Sequence, residues 1–202
     1  GSTPEDLARL KISGPASVRV SGRAVTASDV EAMAEDYTAL DGTNPCIRAL
    51  CVEEGYGEKT IKLVVVGTGG AAIEPSVLTD MDTYFNGDPA QDIDGVLLLN
   101  TQLTSVNFTP HPIAVTANVY GGTVDGVTTA LNALLLPNAL RSDGAYEWEF
   151  GEDVPYTRLI SAIMAVSPNV RKVELSVPAS VDVALADDEL PTAGTISITI
   201  MA

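Results

Sequence analysis

The apolar and polar positions in the first half of the chain alternate between strand-like and helix-like spacing. Valines alternate with polar residues over 17–25, as in a half-buried strand. A helix is predicted from Thr26, because Thr26 with Asp29 three residues later is an aspartate variant of the capping box. Two strands, a helix from Pro75 and a last strand follow, the strands covering 46–53, 59–66 and 97–108. This βαββαβ order is that of a ferredoxin-like fold, with two helices on one face of an antiparallel sheet.

The second half resumes a mixed pattern after an interruption by prolines. Thr109-Pro-His-Pro contains two residues that cannot donate to a β-ladder, so we predict a domain boundary or a sharp strand bend there. Beyond it we predict a strand over 113–120, a helix from Thr123 to Pro137, a helix capped by Asp153 with Pro155 in its first turn, and strands over 170–177, 181–185 and 195–200.

These patterns predict the α+β class, with two small domains of mixed, mainly antiparallel sheet and helices on one face. The first domain, ferredoxin-like, is expected over 3–108 and the second over 109–202. Residues 1–2, Gly-Ser, match the remnant of a cleaved tag, so we expect the protein itself to begin beyond them.

Composition narrows the range of partners. Of the 202 residues 46% are hydrophobic and 19% are charged, which is enough apolar surface for a folded core in spite of a net charge of −16. With 11 Lys and Arg against 27 Asp and Glu, the chain repels phosphate, so nucleic acid and anionic membranes are disfavoured. Basic protein surfaces or cations are the partners that this charge favours. The apolar runs are shorter than the roughly 20 residues that span a bilayer, so we expect a soluble, intracellular protein.

The two cysteines are predicted to be unpaired thiols without a metal. Cys46 and Cys51 lie five residues apart in one predicted strand, and the odd offset places them on opposite faces. A disulfide requires Cα atoms within about 7 Å, which such a strand does not allow. A second cysteine pair or a histidine cluster for a zinc site is missing from the sequence.

Two loops suggest ligand chemistry, and each has a structural interpretation that we favour. Gly67–Gly70 follows a strand with the outline of a dinucleotide fingerprint, but Pro75 delays the helix whose amides would meet the pyrophosphate. The acidic loop around Asp92 suggests calcium, yet alignment to an EF-hand leaves Ala90 and Thr101 at ligand positions. A flexible connector and a solvated acidic loop are the preferred interpretations.

Three further features are weighed as catalytic or interface residues. His111 is the sole histidine, and its place between Pro110 and Pro112 on a predicted linker lacks the packing that a general base needs. The carboxylates of 147–153 could pair for acid–base chemistry, but alternation along an extended segment explains Glu147 and Glu149 as the solvent side opposite Trp148. Arg23 precedes the first helix and is predicted to tether a loop or contact a partner by charged hydrogen bonds.

Several phrases resemble the phage baseplate J-like family, the wedge proteins of contractile tails. Residues 22–34, Gly-Arg-Ala-Val-Thr-Ala-Ser-Asp-Val-Glu-Ala-Met-Ala, contain an Arg-Ala-Val-Thr-x-x-Asp phrase that precedes a helix in that family. Similar phrases follow in the family's order at 154–160, 168–175 and 189–196. Family chains are usually longer at the N-terminus, so we expect a C-terminal fragment.

The resemblance implies a non-enzymatic structural subunit of a phage-type contractile tail baseplate, without a cofactor. Its implied partners are other baseplate wedge and hub proteins, together with self-association in the full assembly, and no nucleic acid or membrane. Its implied location is the virion tail baseplate, assembled in the host cytoplasm. The alternative is a small-ligand-binding or catalytic α+β module that uses Gly67–Gly70 or the acidic loop near Asp92.

Overall fold

A computed structural model describes residues 23–98 and 100–201 of the chain. They form two compact units. The first contains the described residues up to Phe108 together with Leu140–Ala145, and the second contains Thr109–Ala139 and the residues from Tyr146 onward. That the chain consists of two domains divided after Phe108 stays a prediction, because compactness does not establish independent folding. The strand predicted over 17–25 falls largely outside the described residues.

The first unit begins with the predicted capped helix. Its elements are α1 (Ala27–Glu35), β1 (Cys46–Glu53), β2 (Thr60–Gly67), α2 (Pro75–Asn86), β3 (Gly87–Asp88), β4 (Ile93–Asp94) and β5 (Gln102–Asn107). The Thr26 side chain accepts from the Asp29 amide at 3.2 Å, and the Asp29 carboxylate accepts from the Thr26 amide at 2.9 Å. The capping box predicted from the sequence is therefore confirmed.

The sheet of the first unit has β2 at its centre, with β1 antiparallel on one side and β5 parallel on the other. A ferredoxin-like sheet would place the last strand beside the first strand of the domain. Here α2 is the crossover of a βαβ unit that brings β5 directly beside β2. The ferredoxin-like detail is thus not confirmed, whereas the α+β class with mixed, mainly antiparallel sheet is.

One apolar core joins both helices to one face of this sheet. Leu63, Val65 and Leu103 supply the strand side of the core, and Met33 and Phe85 supply the helix side. The prediction that the two cysteines point to opposite faces is wrong, because Cys46 lies in this core and Cys51 packs against it. A register shift between Cys46 and Arg48 adds one residue to β1 and restores both cysteines to the same face. Cys46 and Cys51 are not joined by a disulfide, and the Cys46 thiol donates to the Arg48 carbonyl at 3.3 Å.

The second unit is a three-stranded sheet with two helices. Its elements are β6 (Thr109–Tyr120), α3 (Val124–Leu134), α4 (Tyr156–Ala165), β7 (Lys172–Val177) and β8 (Glu189–Met201). The central strand is β6, paired antiparallel with β7 and parallel with β8. Buried residues alternate along β6 and face leucine and isoleucine side chains of the helices; the buried set includes Ile113, Val115, Ala117, Val119, Val127, Leu131, Leu159 and Ile163. The strand predicted over 181–185 is reduced to one isolated bridge, between Val154 and Val183.

Two predictions about the second unit are wrong for identifiable reasons. The prediction of a linker or a sharp strand bend at Thr109–Pro112 is wrong, because these residues form the start of β6 and pair with β8. The division between the two compact units nevertheless falls between Phe108 and Thr109. Since β7 pairs only with 116–120, this part of β6 has a strand on one side only, where prolines are tolerated. Asp153 does not cap α4, whose N-cap is Pro155. Asp182 instead accepts from the first helical amide, that of Tyr156, at 3.0 Å.

Candidate functional site

The outer edge of β1 is closed by two carboxylates of α1. Glu31 Oε1 accepts from the amide of Cys51 at 2.9 Å, and Glu35 Oε1 accepts from the amide of Ala49 at 3.4 Å. One turn of helix, four residues, advances about 6 Å, which nearly equals the two-residue repeat of a strand. Helical residues at i and i+4 can therefore bond to alternate amides of a strand lying alongside.

The outer edge of β5 is closed in the same way by α2. Asp82 Oδ1 accepts from the amide of Ser105 at 2.6 Å. Asn86, one turn later, accepts from the amide of Leu103 and donates to its carbonyl, both at 2.8 Å. The sheet of the first unit therefore offers a partner strand few free amides on either side, which is how natural sheets avoid edge-to-edge pairing.

These edge contacts place carboxylates where water is partly excluded. Burial raises the pKa of Glu31 and of Asp82, and the hydrogen bonds that they accept from Cys51 and Ser105 oppose the rise. Burial, followed by the negative charges of Glu31 and Glu53, raises the pKa of the Cys51 thiol to about 12. Cys51 is therefore a protonated, unreactive thiol at neutral pH, and no nucleophile is created by this cluster.

The edges of the second sheet are different. Among the described residues, β8 pairs with β6 along one side, and no side chain or loop bonds to the backbone of 191–201 on the other side. β8 is 13 residues long and has no charged residue after Glu189. Long, uncharged edge strands pair readily with another strand. The outer edge of β8 is accordingly the candidate site for contact with another strand.

The Gly67–Gly70 loop lacks the geometry of a phosphate cradle. It forms one 3-10 turn after β2, and the Thr68 amide donates to Pro45 rather than into an open concavity. The first helical residue after the loop is Pro75, and the N-cap is Glu74, which brings a negative charge to the end of α2 that would meet an anion. The arrangement favours the connector interpretation.

The acidic loop around Asp92 forms the tip of a short hairpin between β3 and β4. Asp88 accepts from the Ala90 amide at 2.9 Å and from the Gln91 side chain at 2.7 Å, while Asp92 and Asp94 are exposed. Over 23–98 and 100–201, no group of three or more His, Cys, Asp or Glu residues is placed to hold a metal ion. Asp88 thus shapes its own turn.

Arg23 is exposed and lies near this hairpin. Together with Asp94 and Asn100 it lines a shallow groove of about 370 Å³. That position is compatible with either of the two roles predicted for it, and neither is tested by the geometry. Its role as a tether or an interface residue stays a prediction.

His111 is held by the scaffold. Its Nδ1 lies 2.9 Å from Glu189 Oε2, and the same oxygen accepts from the Ala186 amide at 2.9 Å. The bond from Ala186, followed by that from His111, lowers the pKa of the Glu189 carboxyl. The pair therefore fastens the beginning of β6 to the beginning of β8. In the same unit Glu147 bonds to the Arg158 side chain. Glu152 accepts from the Glu149 amide at 2.8 Å and Asp153 accepts from the Leu185 amide at 3.2 Å, so these two carboxylates hold backbone in place.

Most of the second unit matches a known protein family. Residues 112–199, from β6 to β8, match the family described as the Baseplate J-like protein C-terminal domain. The predicted baseplate J-like resemblance is thereby confirmed. The baseplate J-like match covers less than half of the chain, and it contains β6, β7, β8 and both helices of the second unit.

A solved structure extends the likeness of fold to both units. It is a chain of the cryo-EM structure of the anti-feeding prophage (AFP) baseplate, 6-fold symmetrised, with a TM-score of 0.52 and 16% sequence identity. The alignment covers 96% of the present chain and 42% of that chain, so the present chain spans less than half of its neighbour. No curated protein matches the chain. The family match thus covers the second unit, and the likeness of fold covers both units.

No helix of the described residues is long and apolar enough to cross a membrane.

Proposed function

We propose that this chain is a structural subunit of a phage-type contractile tail baseplate, and specifically a wedge component that acts through protein–protein contacts. The observation that carries the proposal is the baseplate J-like match from β6 to β8. It covers the sheet whose outer edge is open to a partner strand. We further propose that the chain catalyses no reaction, since His111 is engaged with Glu189 and Asp88 accepts from the Ala90 amide within its own turn.

The proposed partners are other wedge and hub proteins of the baseplate, with neither nucleic acid nor membrane among the contacts. The net charge of −16 supports this choice, because it disfavours phosphate surfaces and favours basic protein surfaces. The proposed location is the tail baseplate of a virion or a tail-derived particle, assembled in the host cytoplasm. For Arg23 we propose a contact or tethering role.

Co-expression of the full-length protein with neighbouring tail proteins, followed by capture on a tag, tests the proposal. Charge placed on exposed apolar positions, as in Val124→Glu and Met164→Glu, should reduce co-purification and baseplate assembly while the variants still fold. Thr129→Glu, an exposed polar position on the same helix as Val124, is the matched control and should leave assembly unchanged. His111→Ala and Asp92→Ala should also assemble normally.

The opposite pattern would replace this proposal with a site-based function. If the charge variants fold and assemble while His111→Ala or Asp92→Ala abolishes function, chemistry at those residues is the better explanation. Arg23→Ala separates its two roles, because loss of partner capture with an unchanged melting temperature indicates an interface, whereas a lowered melting temperature indicates a tether.

A further inference from the structure

We propose that the outer edge of β8 pairs antiparallel with β8 of a second copy of this chain. The two three-stranded sheets would then join into one continuous six-stranded sheet across a two-fold axis. The inference deepens the proposed function by naming one partner and its surface, and it rests on that function for its biological setting.

The first argument is the contrast between the edges of the two sheets. The outer amides of β1 and β5 are occupied by side chains of α1 and α2, such as Glu31 and Asp82. No corresponding side chain is supplied to β8 by the described residues of the second unit. β7, the other edge of that sheet, is six residues long and carries Lys172 and Glu174, a charged pair of the kind that blunts edges.

The second argument is the side-chain pattern of β8. Ile196 and Ile198 face the helices but are only half-buried, and Ile200 on the same face is 36% exposed. Thr195, Ser197 and Thr199 point to the opposite, solvent face and are exposed. In an antiparallel pair of two β8 strands, isoleucines would meet isoleucines and hydroxyl side chains would meet hydroxyl side chains, and both kinds of cross-strand pair are favourable.

The third argument selects a second copy over a basic partner. Although 19% of the chain is charged, α3 and β8 together hold only two charged residues, Asp125 and Glu189. A surface that bound a basic segment would be expected to present carboxylates to it. A neutral strip with matching faces is instead suited to its own copy, because like charges do not meet there. Strand pairing alone covers less area than a stable interface of about 1,600 Å², so the dimer is expected to be weak.

Sedimentation of the full chain over about 1 μM to 1 mM, the range in which weak contacts dissociate, measures the dimer directly. We expect association that increases with salt, because salt screens the repulsion between two chains of net charge −16. Ser197→Lys should weaken dimerisation at least tenfold, because each copy would bring a cation into the paired strands. Ser176→Lys adds the same charge to the same face of the sheet at the other edge, on β7, and should leave the dimer intact.

Hydrogen exchange on the unsubstituted chain provides a test that does not depend on a variant. Amides of 195–200 should exchange more slowly as concentration rises, while those of β7 should not change. A monomer at every concentration, or a dimer equally sensitive to both lysine variants, overturns the inference. A monomer that still captures neighbouring tail proteins would leave the proposed function standing, so the two failures are distinguishable.

Discussion

Substitution of Asp82 tests whether helix side chains close the edge of the first sheet. Asp82 Oδ1 lies 2.6 Å from the amide of Ser105, a residue that is only 5% exposed. In Asp82→Ala that amide loses its acceptor where little water can replace it. An unsatisfied buried donor costs about 1–3 kcal/mol, and we expect a loss of stability in this range.

The matched variant Asp82→Asn separates the hydrogen bond from the charge. Asparagine keeps an oxygen for the Ser105 amide, so the loss seen with alanine should be absent. Burial raises the pKa of Asp82 in the folded state above its ordinary value of 3.8, so the folded state holds this proton more tightly than the unfolded state. The stabilisation of the folded state by this proton is fully present below pH 3.8 and is lost as the pH rises through the folded-state pKa. Asp82→Asn should therefore be at least as stable as the parent at neutral pH, and its advantage should shrink on acidification.

Urea unfolding and hydrogen exchange measure the two effects. With an m-value of about 2 kcal/mol per molar, a loss of 2 kcal/mol lowers the urea midpoint by about 1 M. Exchange at the Ser105 amide should accelerate by about thirtyfold for the same loss, while amides of β6 should be unaffected. Equal destabilisation by Asp82→Ala and Asp82→Asn would show that the acceptor is not what matters, and the edge-closing explanation would fail.

Three further predictions concern the helix cap, the second core and the thiols. Thr26→Ala should cost about 1 kcal/mol in chemical unfolding and Thr26→Ser much less, and equal losses would refute the capping role. Leu131→Ala should lower the free energy of unfolding by about 2–5 kcal/mol, measured by the fluorescence of Trp148, the sole tryptophan. A smaller loss would mean that the second core is loosely packed. Because the pKa of Cys51 is about 12 and Cys46 is buried, both thiols should resist alkylation at neutral pH until the chain is unfolded, and rapid labelling of native protein would contradict the structure.

Local signals in the sequence were sufficient to predict those elements whose formation depends on residues close together in the chain. The cap at Thr26 forms as expected, because capping involves a side chain and an amide three residues apart. The helix expected from Thr123 also forms, with Thr123 as its N-cap. The strict alternation of Ile196, Ile198 and Ile200 correctly indicates a strand, although β8 begins six residues earlier than predicted. The phrases that resemble the baseplate J-like family lie mainly in such local elements.

Features that depend on distant partners could not be read in this way. The extra residue near Ile47 reverses one cysteine's face, and it arises from the pairing of β1 with β2. The prolines at 110 and 112 fit a strand because β7 is too short to reach them. Asp182 takes over the capping role expected of Asp153 from 26 residues beyond Tyr156. In each case the deciding contact is made by tertiary packing.

The edge-closing residues are the instructive omission, because a signal for them was present. Glu31 and Glu35, and likewise Asp82 and Asn86, lie four apart beside the apolar stripe of a helix. Such pairs are normally interpreted as a solvated helix face. The same spacing also matches alternate amides of an adjacent strand. Two such polar residues beside the apolar stripe of a helix therefore predict a closed sheet edge when that helix packs next to a strand.

This distinction assigns different tasks to the two units. In the first unit, carboxylate and amide side chains occupy both sheet edges, at the cost of partly burying charge, so its fold is directed against pairing with other strands. In the second unit, charge is used to fasten β6 to β8 at their beginnings, through His111 and Glu189, and is absent from the rest of β8. The chain protects one sheet and leaves a long neutral edge on the other, which limits where strand pairing can occur. That edge belongs to the segment that matches the baseplate J-like family.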